Sequence, residues 1–582
     1  MTPYRPANPE IMSSDDRRSV GVPRAVIAVI VVAALAAFAR LHFGVDFTDE
    51  AYYAGFAYRF ALGDVPYVSD INVHQNAGII SWPFVKTYLL LVGGSSGLIL
   101  FLRYLYVIMR LTLTVLTFRF VRRSASVALA ALVALLPIAF VPFSIPSLSY
   151  NTQGGTIFGI GLLFLLEWRR TPRAPIAVGA ILAWFVAGFS YPPMLVAASM
   201  AVVALVFLSP TRDARRLALR LAIVVTVACT LLGLLALSRI GAEPLQNVLR
   251  YGKSFSGEVG GGLLVRSRAL LGGLRAVTPR PYALTVLWVG IALTSLRSRW
   301  LAPLIVLPYV VMAMTASTHI ALLWIGLASI PLGLRAVPDG ASLTECIAAS
   351  LSLLVGATAA YFSGNGVGNG VIGLEVACLF TVLWSWRIAS RQRGWRLTTG
   401  RFAALAVAVL AVAKAELAQW TDVYRDGSVA QLTTTVTTGP YAGIRTTPAK
   451  LSYLNAIQSE LRSHQDSSRS VLAFNRFPAG SLMLPLPPAL TTTWAPDYPK
   501  EAGVVYREAI ARSYDRAPRP ILVLQLHRLV NSPGDDTRSL YPDNDPLMVA
   551  FWASAPRILY ETADFTVFRV PARESQPASV RR

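Results

Sequence analysis

The chain has 582 residues, 54% of them apolar or aromatic and only 14% charged, and its mean hydropathy is +0.52. Soluble domains carry about 25% charged residues, so an ordinary soluble enzyme and a disordered chain are both excluded. A net charge of +22 would point to nucleic acid in a soluble protein; here its meaning depends on where the basic residues lie.

The first apolar run, 25–39, follows a basic tail with Arg17, Arg18 and Arg24. It reads as a retained first span near 24–43 behind a cytoplasmic tail, 1–23. Ala37-Phe38-Ala39 also resembles a signal-peptide cleavage site, and on either reading the next segment lies outside.

That segment, 44–96, is the first outer loop and the most informative stretch. It opens with Asp46, Asp49 and Glu50, three carboxylates within five residues. An aromatic amphipathic helix over 51–62 follows, then Gly63-Asp64-Val65-Pro66-Tyr67, then Asp70, His74, Gln75 and Asn76. The apolar stretch 79–92, with Pro83 and Lys86 inside it, suits an interfacial helix. Carboxylates at a membrane boundary are costly unless solvated, paired or functional. Helix capping explains them as well, with Thr48 or Asp49 as N-cap and Glu50 in the first turn.

Further apolar runs near 97–118, 125–142, 154–168, 174–190, 193–208, 217–238, 282–296, 300–318, 319–334, 342–362, 371–386 and 402–419 bring the expected total to about 13 spans. With the first tail inside, alternate loops hold Arg119, Arg122 and Arg123; Arg169, Arg170 and Arg173; Arg212, Arg215, Arg216 and Arg220; Arg297 and Arg299; and Arg387, Arg391, Arg393, Arg396 and Arg401. The positive-inside rule then sets an N-in, C-out orientation. Most of the excess charge is absorbed this way, and no nucleic-acid partner is needed. One outer loop, 239–280, breaks the pattern, with Arg239, Arg250, Lys253, Arg266, Arg268, Arg275 and Arg280 against Glu243 and Glu258. Such a loop suits a lipid phosphate headgroup or general attraction to anionic lipid. Cys229, Cys346 and Cys378 all fall in apolar runs and read as small buried residues. Arg110 and His319 are polar residues positioned to line a cavity.

After Trp420 the composition changes: 420–582 holds 18 basic and 15 acidic residues and no run long enough to span. Helices are expected at 448–464 and 499–514, short buried strands at 470–474 and 520–526, and a hairpin over 558–570 turning at Thr562-Ala563-Asp564. The expected architecture is a polytopic α-helical membrane protein: transmembrane domain 24–419, then a C-terminal extracytoplasmic α/β domain, 420–582. Trp494, Tyr498 and Trp552 are exposed-aromatic candidates for carbohydrate contact there.

The order of first span, Asp49-Glu50-Ala51-Tyr52-Tyr53, Gly63–Tyr67, then Asp70, His74 and Gly78 leading into an apolar helix resembles the GT-C superfamily of glycosyltransferases. Within it, the chain looks most like the branch of protein mannosyltransferases, aminoarabinose transferases and related polyprenyl-phosphate-sugar-dependent enzymes. Ile558-Leu559-Tyr560 and Phe565–Arg569 also look like the terminal hairpin of such proteins. The resemblance implies a GT-C-like fold and an inverting transfer of sugar at the outer face of the bacterial cytoplasmic (inner) membrane. The donor would be a polyprenyl-phosphate sugar, and the acceptor an envelope glycan, lipid or protein.

By position, Asp49 matches the first acid of the family's Asp-Glu pair, the base on the acceptor, and Glu50 the second acid, which orients the loop. Asp70 and His74 match polar residues facing the active site. Gln75-Asn76-Ala77-Gly78 stands where the aminoarabinose branch has a lysine before a Pro-Pro pair, so the resemblance does not carry that branch's donor-phosphate contact, and Gln75 is expected only as a substrate-binding residue. Arg103 matches an arginine early in the second span and, with Arg250, Lys253, Arg266 and Arg268, would bind the phosphate. Asn151 stands where some relatives place an acid, so no metal or other cofactor is expected. The competing reading is a non-enzymatic polyprenyl-lipid transporter or envelope assembly protein on the same scaffold.

Overall fold

The computed structural model describes residues 24–259, 267, 268, 270, 272, 318–336, 342–363, 366–390, 395–474, 477–492, 504–527 and 545–572. The expected span at 282–296, all of 300–318 but its last residue, and Arg266, Arg275, Arg280, Trp494 and Tyr498 lie outside the described residues.

Helices dominate up to residue 421. They are α1 (Arg24–Arg40), α2 (Asp49–Leu62), α3 (Asn76–Val92), α4 (Leu98–Arg122), α5 (Val127–Ala139), α6 (Tyr150–Arg170), α7 (Ala174–Ser190), α8 (Leu195–Phe207), α9 (Arg212–Ile240) and α10 (Ala242–Val259), then α11 (Thr318–Leu327), α12 (Ser329–Ala336), α13 (Leu343–Phe362), α14 (Glu375–Ser390) and α15 (Trp395–Thr421). Among the described residues, α4, α9 and α13 are long and apolar enough to cross a membrane, and α1, α5, α7, α8 and α11 contain shorter apolar helices. Exposed Ile27, Val31, Val32 and Leu35 on α1, and Val224, Leu231 and Leu232 on α9, suit a lipid solvent, where apolar exposure carries no penalty.

The helical core is held by close backbone approach and by buried charge pairs. Gly161 of α6 lies against Trp184 of α7, and a Cβ there would come within 2.4 Å of the indole nitrogen. Arg110 of α4 is 1% exposed and lines no open space. It pairs with Glu375 of α14 at 2.6 Å and donates to Thr156 and to the carbonyls of Pro137 and Phe140. A buried arginine whose every face is bonded is the form in which such a charge is tolerated in a membrane helix. His319 accepts the Phe143 N–H at 3.0 Å and tethers the α5–α6 connection.

After α15 the chain forms a small α/β unit. Strands β1 (Thr434–Thr435) and β2 (Arg445–Thr446) pair as a short ribbon, and β3 (Ser470–Phe474), β4 (Ile521–Leu526), β5 (Arg557–Glu561) and β6 (Phe565–Val570) form a sheet in the order β3-β4-β6-β5. The β3–β4 pair is parallel, and β6 runs antiparallel to both of its neighbours. Helices α16 (Pro448–Ser463), α17 (Val504–Arg516) and α18 (Pro546–Ala553) cover it. The apolar spacing in α16 buries Leu454, Ile457 and Leu461 on one face.

This unit does not stand apart from the helices. One continuous core joins Leu41, Val45, Phe47, Ala51 and Ala54 with Leu98, Ile99 and Leu102 of α4, Leu454 and Ile457 of α16, and Leu522, Leu524 and Val567 of the sheet. Helix α2 is therefore buried at every residue from Glu50 to Ala61, where an amphipathic surface helix was expected. The sheet unit covers the side that the pattern would leave to water. Arg59 binds the Asp64 carboxylate with two bonds of 2.9 Å and donates to the Leu486 carbonyl at 2.7 Å, fixing the far end of α2 to the same unit.

Ile457 is 0% exposed in the shared core. Ile457→Ala is expected to cost about 2–5 kcal/mol. Because the core is shared, hydrogen exchange of the full-length protein in detergent should show α2 amides losing protection together with those of α16.

Candidate active site

Residues 41–48, between α1 and α2, carry the densest polar network in the molecule's domain-bearing end. Asp46 is 3% exposed. It accepts the backbone N–H of Thr48 at 2.9 Å and of Glu50 at 2.8 Å, and the Thr48 hydroxyl at 2.5 Å. Thr48 stands at the N-cap position of α2 as expected, but its side chain makes no cap bond, and the Asp46 carboxylate accepts in its place. The Thr48 hydroxyl is spent on Asp46, and a carboxylate facing a helix N-terminus gains from the dipole.

Glu50 and Arg103 are both buried. The guanidinium meets the carboxylate with two bonds, Nε to Oε1 at 2.7 Å and Nη2 to Oε2 at 2.5 Å. Its remaining donors go to the carbonyls of Leu41 at 2.6 Å, Phe43 at 3.1 Å and Gly44 at 2.6 Å. No donor of Arg103 is left for a phosphate, which corrects its expected role. Glu50 is likewise enclosed and acts by orienting the loop.

Asp49 differs from both neighbours. Its side chain keeps 23% exposure and lies 3.8 Å from Arg425. The Tyr424 hydroxyl donates to its Oδ2, and Thr48 reaches the same oxygen at 3.5 Å. Burial, and after it the Asp46 carboxylate, push the Asp49 carboxyl above the usual carboxylate range, against the opposing pull of Arg425, Tyr424 and Thr48. The Arg425 guanidinium lies 5.3 Å from the Tyr424 ring centre, and Arg425 sits at φ +50°, a region that side chains other than glycine rarely occupy.

Sequence reasoning missed Tyr424 and Arg425. Tyr424 is 375 residues from Asp49, on the connection that follows α15. The one available signal was its place, since the first turn after a last apolar helix returns to the level where the first outer loop begins.

The other expected residues divide. Gln75 is buried and fully used: Oε1 accepts the Tyr67 N–H at 2.7 Å, and Nε2 donates to the carbonyls of Asp70 and Asn72. Asp70 is 5% exposed and holds the Asn72 N–H at 2.7 Å. Both shape the 70–76 turn, so direct substrate contact by Gln75 is corrected. His74 stacks on Tyr150 of α6 at 4.3 Å between ring centres, 13° from parallel. Burial lowers its pKa to about 4, so the ring is neutral at physiological pH. Tyr150 in turn meets Tyr53 at 5.5 Å and Tyr191 at 4.8 Å, and Tyr53 shares a face of α2 with Asp49, one helical turn away. An aromatic row thus runs from beside Asp49 to the 73–75 turn.

The basic segment 239–280, read as a loop, is helical at α10 (Ala242–Val259). Its helix formers carry an apolar face that buries Val248. Helix α10, which carries Arg250 and Lys253 against Glu243 and Glu258, packs against the 73–75 turn and α17, so it stands at the far end of the aromatic row. Arg250 is exposed, Lys253 lies on the same helix, and Arg268 is exposed beyond it.

No family model matches the chain, and no curated protein matches it. Among solved structures, it is similar to the oligosaccharyltransferase AglB from Archaeoglobus fulgidus in complex with an inhibitory peptide and a dolichol-phosphate, at 10% identity and TM-score 0.44 over 95% of this chain and 75% of that one. It is also similar to ArnT from Cupriavidus metallidurans bound to undecaprenyl phosphate, at 13% identity and TM-score 0.41 over 95% and 99%. A third is the Archaeoglobus fulgidus oligosaccharyltransferase tethered with an acceptor peptide, at 10% identity and TM-score 0.42 over 87% and 69%.

Arg103→Met strands the Glu50 carboxylate and three carbonyls in the interior. Breaking a buried pair from one side costs about 3–5 kcal/mol. The expected result is a lower thermal midpoint for the detergent-purified protein, partly restored in Arg103→Met/Glu50→Leu.

Proposed function

We propose that this protein is a membrane glycosyltransferase of the GT-C type, moving a sugar from a polyprenyl phosphate to a hydroxyl of an envelope glycan, lipid or protein acceptor. The orientation that goes with this reading is N-in and C-out, with the sheet unit and Asp49 on the extracytoplasmic side of the bacterial inner membrane. One observation carries it. Of three carboxylates at the start of α2, Asp46 and Glu50 are consumed in holding the loop, while Asp49 is half-buried, raised in pKa and reachable.

The chemistry suits that group. Asp49 accepts the proton of the acceptor hydroxyl as the oxygen attacks the anomeric carbon of the donor. The bond from that carbon to the phosphate oxygen breaks, and its electron pair leaves with the phosphate. A base with a pKa closer to the working pH gives a larger proton-transfer driving force without being fully protonated. A cation beside the departing oxygen stabilises the charge that develops there. Arg425, 3.8 Å from Asp49, takes the place expected of Arg103, and Arg250, Lys253 and Arg268 draw the anionic lipid toward the site. His74, being neutral, offers a stacking surface with Tyr150 rather than a charge. The apolar faces of α3, with exposed Trp82, Phe84, Leu90 and Leu91, suit the lipid around the carrier. The reading includes no resident metal.

Transfer from a panel of radiolabelled polyprenyl-phosphate sugars, measured in membranes, tests the assignment. Asp49→Asn should lose about 10²–10⁴-fold in rate while the protein stays folded and inserted; wild-type turnover would overturn the reading. In the wild type, kcat/KM should rise with pH as Asp49 deprotonates, with a midpoint above the ordinary carboxylate value of about 4. Tyr424→Phe removes a bond to the ionised form, so its midpoint should lie higher still.

A further inference from the structure

The 45–50 segment is gripped from the far end of the chain by side chains that take no part in the chemistry. Lys450, in the first turn of α16, is 2% exposed. Its ammonium donates to the carbonyl of Val45 and, at 2.7 Å, to the carbonyl of Arg425, and lies 4.9 Å from the Phe47 ring centre. Asp426 accepts the Val45 N–H at 2.7 Å and the Thr446 hydroxyl at 2.7 Å. The Tyr441 hydroxyl donates to the Asp46 carbonyl at 2.7 Å. Both backbone polar groups of Val45 and the carbonyl of Asp46 are thereby held by residues 426–450.

From this we infer that Lys450 is a positioning residue, whose one ammonium joins the loop carrying Asp49 to the loop carrying Tyr424 and Arg425 and so sets the proton affinity of Asp49. The inference rests on the reading of Asp49 as the base. Its physical content is simple. Asp49 and its two partners arrive from loops 375 residues apart in sequence, and the separation between a carboxylate and its donors decides how far they stabilise its charged form. Lys450 bonds to backbone on each side, so it fixes that separation without touching the carboxylate. Burying an ammonium with carbonyl acceptors is costly, and burial lowers the Lys450 pKa, against the nearby Asp426 and Asp46. The groups facing this network are Asp46, Asp49, Tyr424, Arg425, Asp426 and Lys450 itself. The neutral Phe47 ring closes one side. The sheet unit is, on this account, part of the catalytic centre rather than an accessory carbohydrate module.

The experiment compares Lys450→Met, Lys450→Gln and Tyr441→Phe in the full-length protein, as kcat, KM for the donor and the acid limb of kcat/KM. Displacing reacting groups by about 1 Å is worth about 100-fold in rate, so Lys450→Met should lower kcat on that order with donor KM little changed. Its acid limb should move to higher pH, because Arg425 and Tyr424 no longer stabilise the Asp49 carboxylate as well. Gln keeps an N–H donor without the charge, so Lys450→Gln should recover part of both effects. Tyr441→Phe, which removes a single bond, should shift the limb in the same direction, and it carries the test with the Gln variant if Lys450→Met does not fold.

Two results would overturn the inference. One is a wild-type acid limb and kcat in the folded Lys450 variants. The other is identical behaviour of Met and Gln, which would mean loss of charge alone. If Asp49→Asn is inactive and the Lys450 variants keep a wild-type limb, only the inference fails. If Asp49→Asn is active, the functional reading fails with it.

Discussion

The guanidinium of Arg103 spends five hydrogen bonds on one short stretch of chain, two on Glu50 and one each on the carbonyls of Leu41, Phe43 and Gly44. The charge sits in α4, while its partners sit at the end of α1 and the start of α2. In a low-dielectric interior such a pair holds only when its geometry is good and its remaining donors are satisfied, and here both conditions are met. The path of the backbone from 41 to 50 follows from that requirement. With the path fixed, Asp46 falls under the helix N-terminus and Glu50 into the core, and Asp49 is left facing outward between them.

The same constraint explains why one carboxylate among three is chemically available. Asp46 is engaged by two N–H groups and a hydroxyl, and Glu50 by a bidentate arginine. Asp49 receives a phenol hydroxyl and, at 3.8 Å, an arginine that does not close a bidentate pair. Burial, and after it the Asp46 carboxylate, raise its carboxyl. The three carboxylates thus differ through an uneven division of partners among neighbours.

The shared core has a consequence for how the parts depend on one another. Leu41, Val45 and Phe47 pack with α16 and the sheet, and Gly44 and Arg445 exchange backbone contacts with each other and with His42. The outer surface of the helical body is therefore completed by the C-terminal unit. A disturbance in that unit reaches Asp49 through the backbone of residues 44–46, with no need for a longer path.

Local patterns were legible wherever the structure is local. The hairpin around Thr562-Ala563-Asp564 forms as its alternation requires, with β5 (Arg557–Glu561) pairing β6 (Phe565–Val570). The helix expected at 448–464 is observed at Pro448–Ser463, and the strand expected at 470–474 is Ser470–Phe474. Residue type and position marked the cluster Asp46, Asp49 and Glu50, and the resemblance to the GT-C Asp-Glu pair pointed to Asp49 within it. What the sequence could not show was partnership. Arg103 looked like a phosphate ligand because it matches an arginine common at that place in the GT-C resemblance, and nothing in its neighbourhood identified its partner as Glu50, 53 residues earlier. Gln75 looked open to substrate until the 67–76 turn closed on it. Tyr424 and Arg425 carried no signal beyond their place after the last apolar helix, and Lys450 none, because their partners exist only after the end of α15 and the start of α16 are brought against the first loop. Chain composition alone determined that this is a helical membrane protein with an acid-rich first loop. Tertiary structure decided which acid stays accessible, because the access of a carboxylate depends on donors and burial supplied from anywhere in the chain.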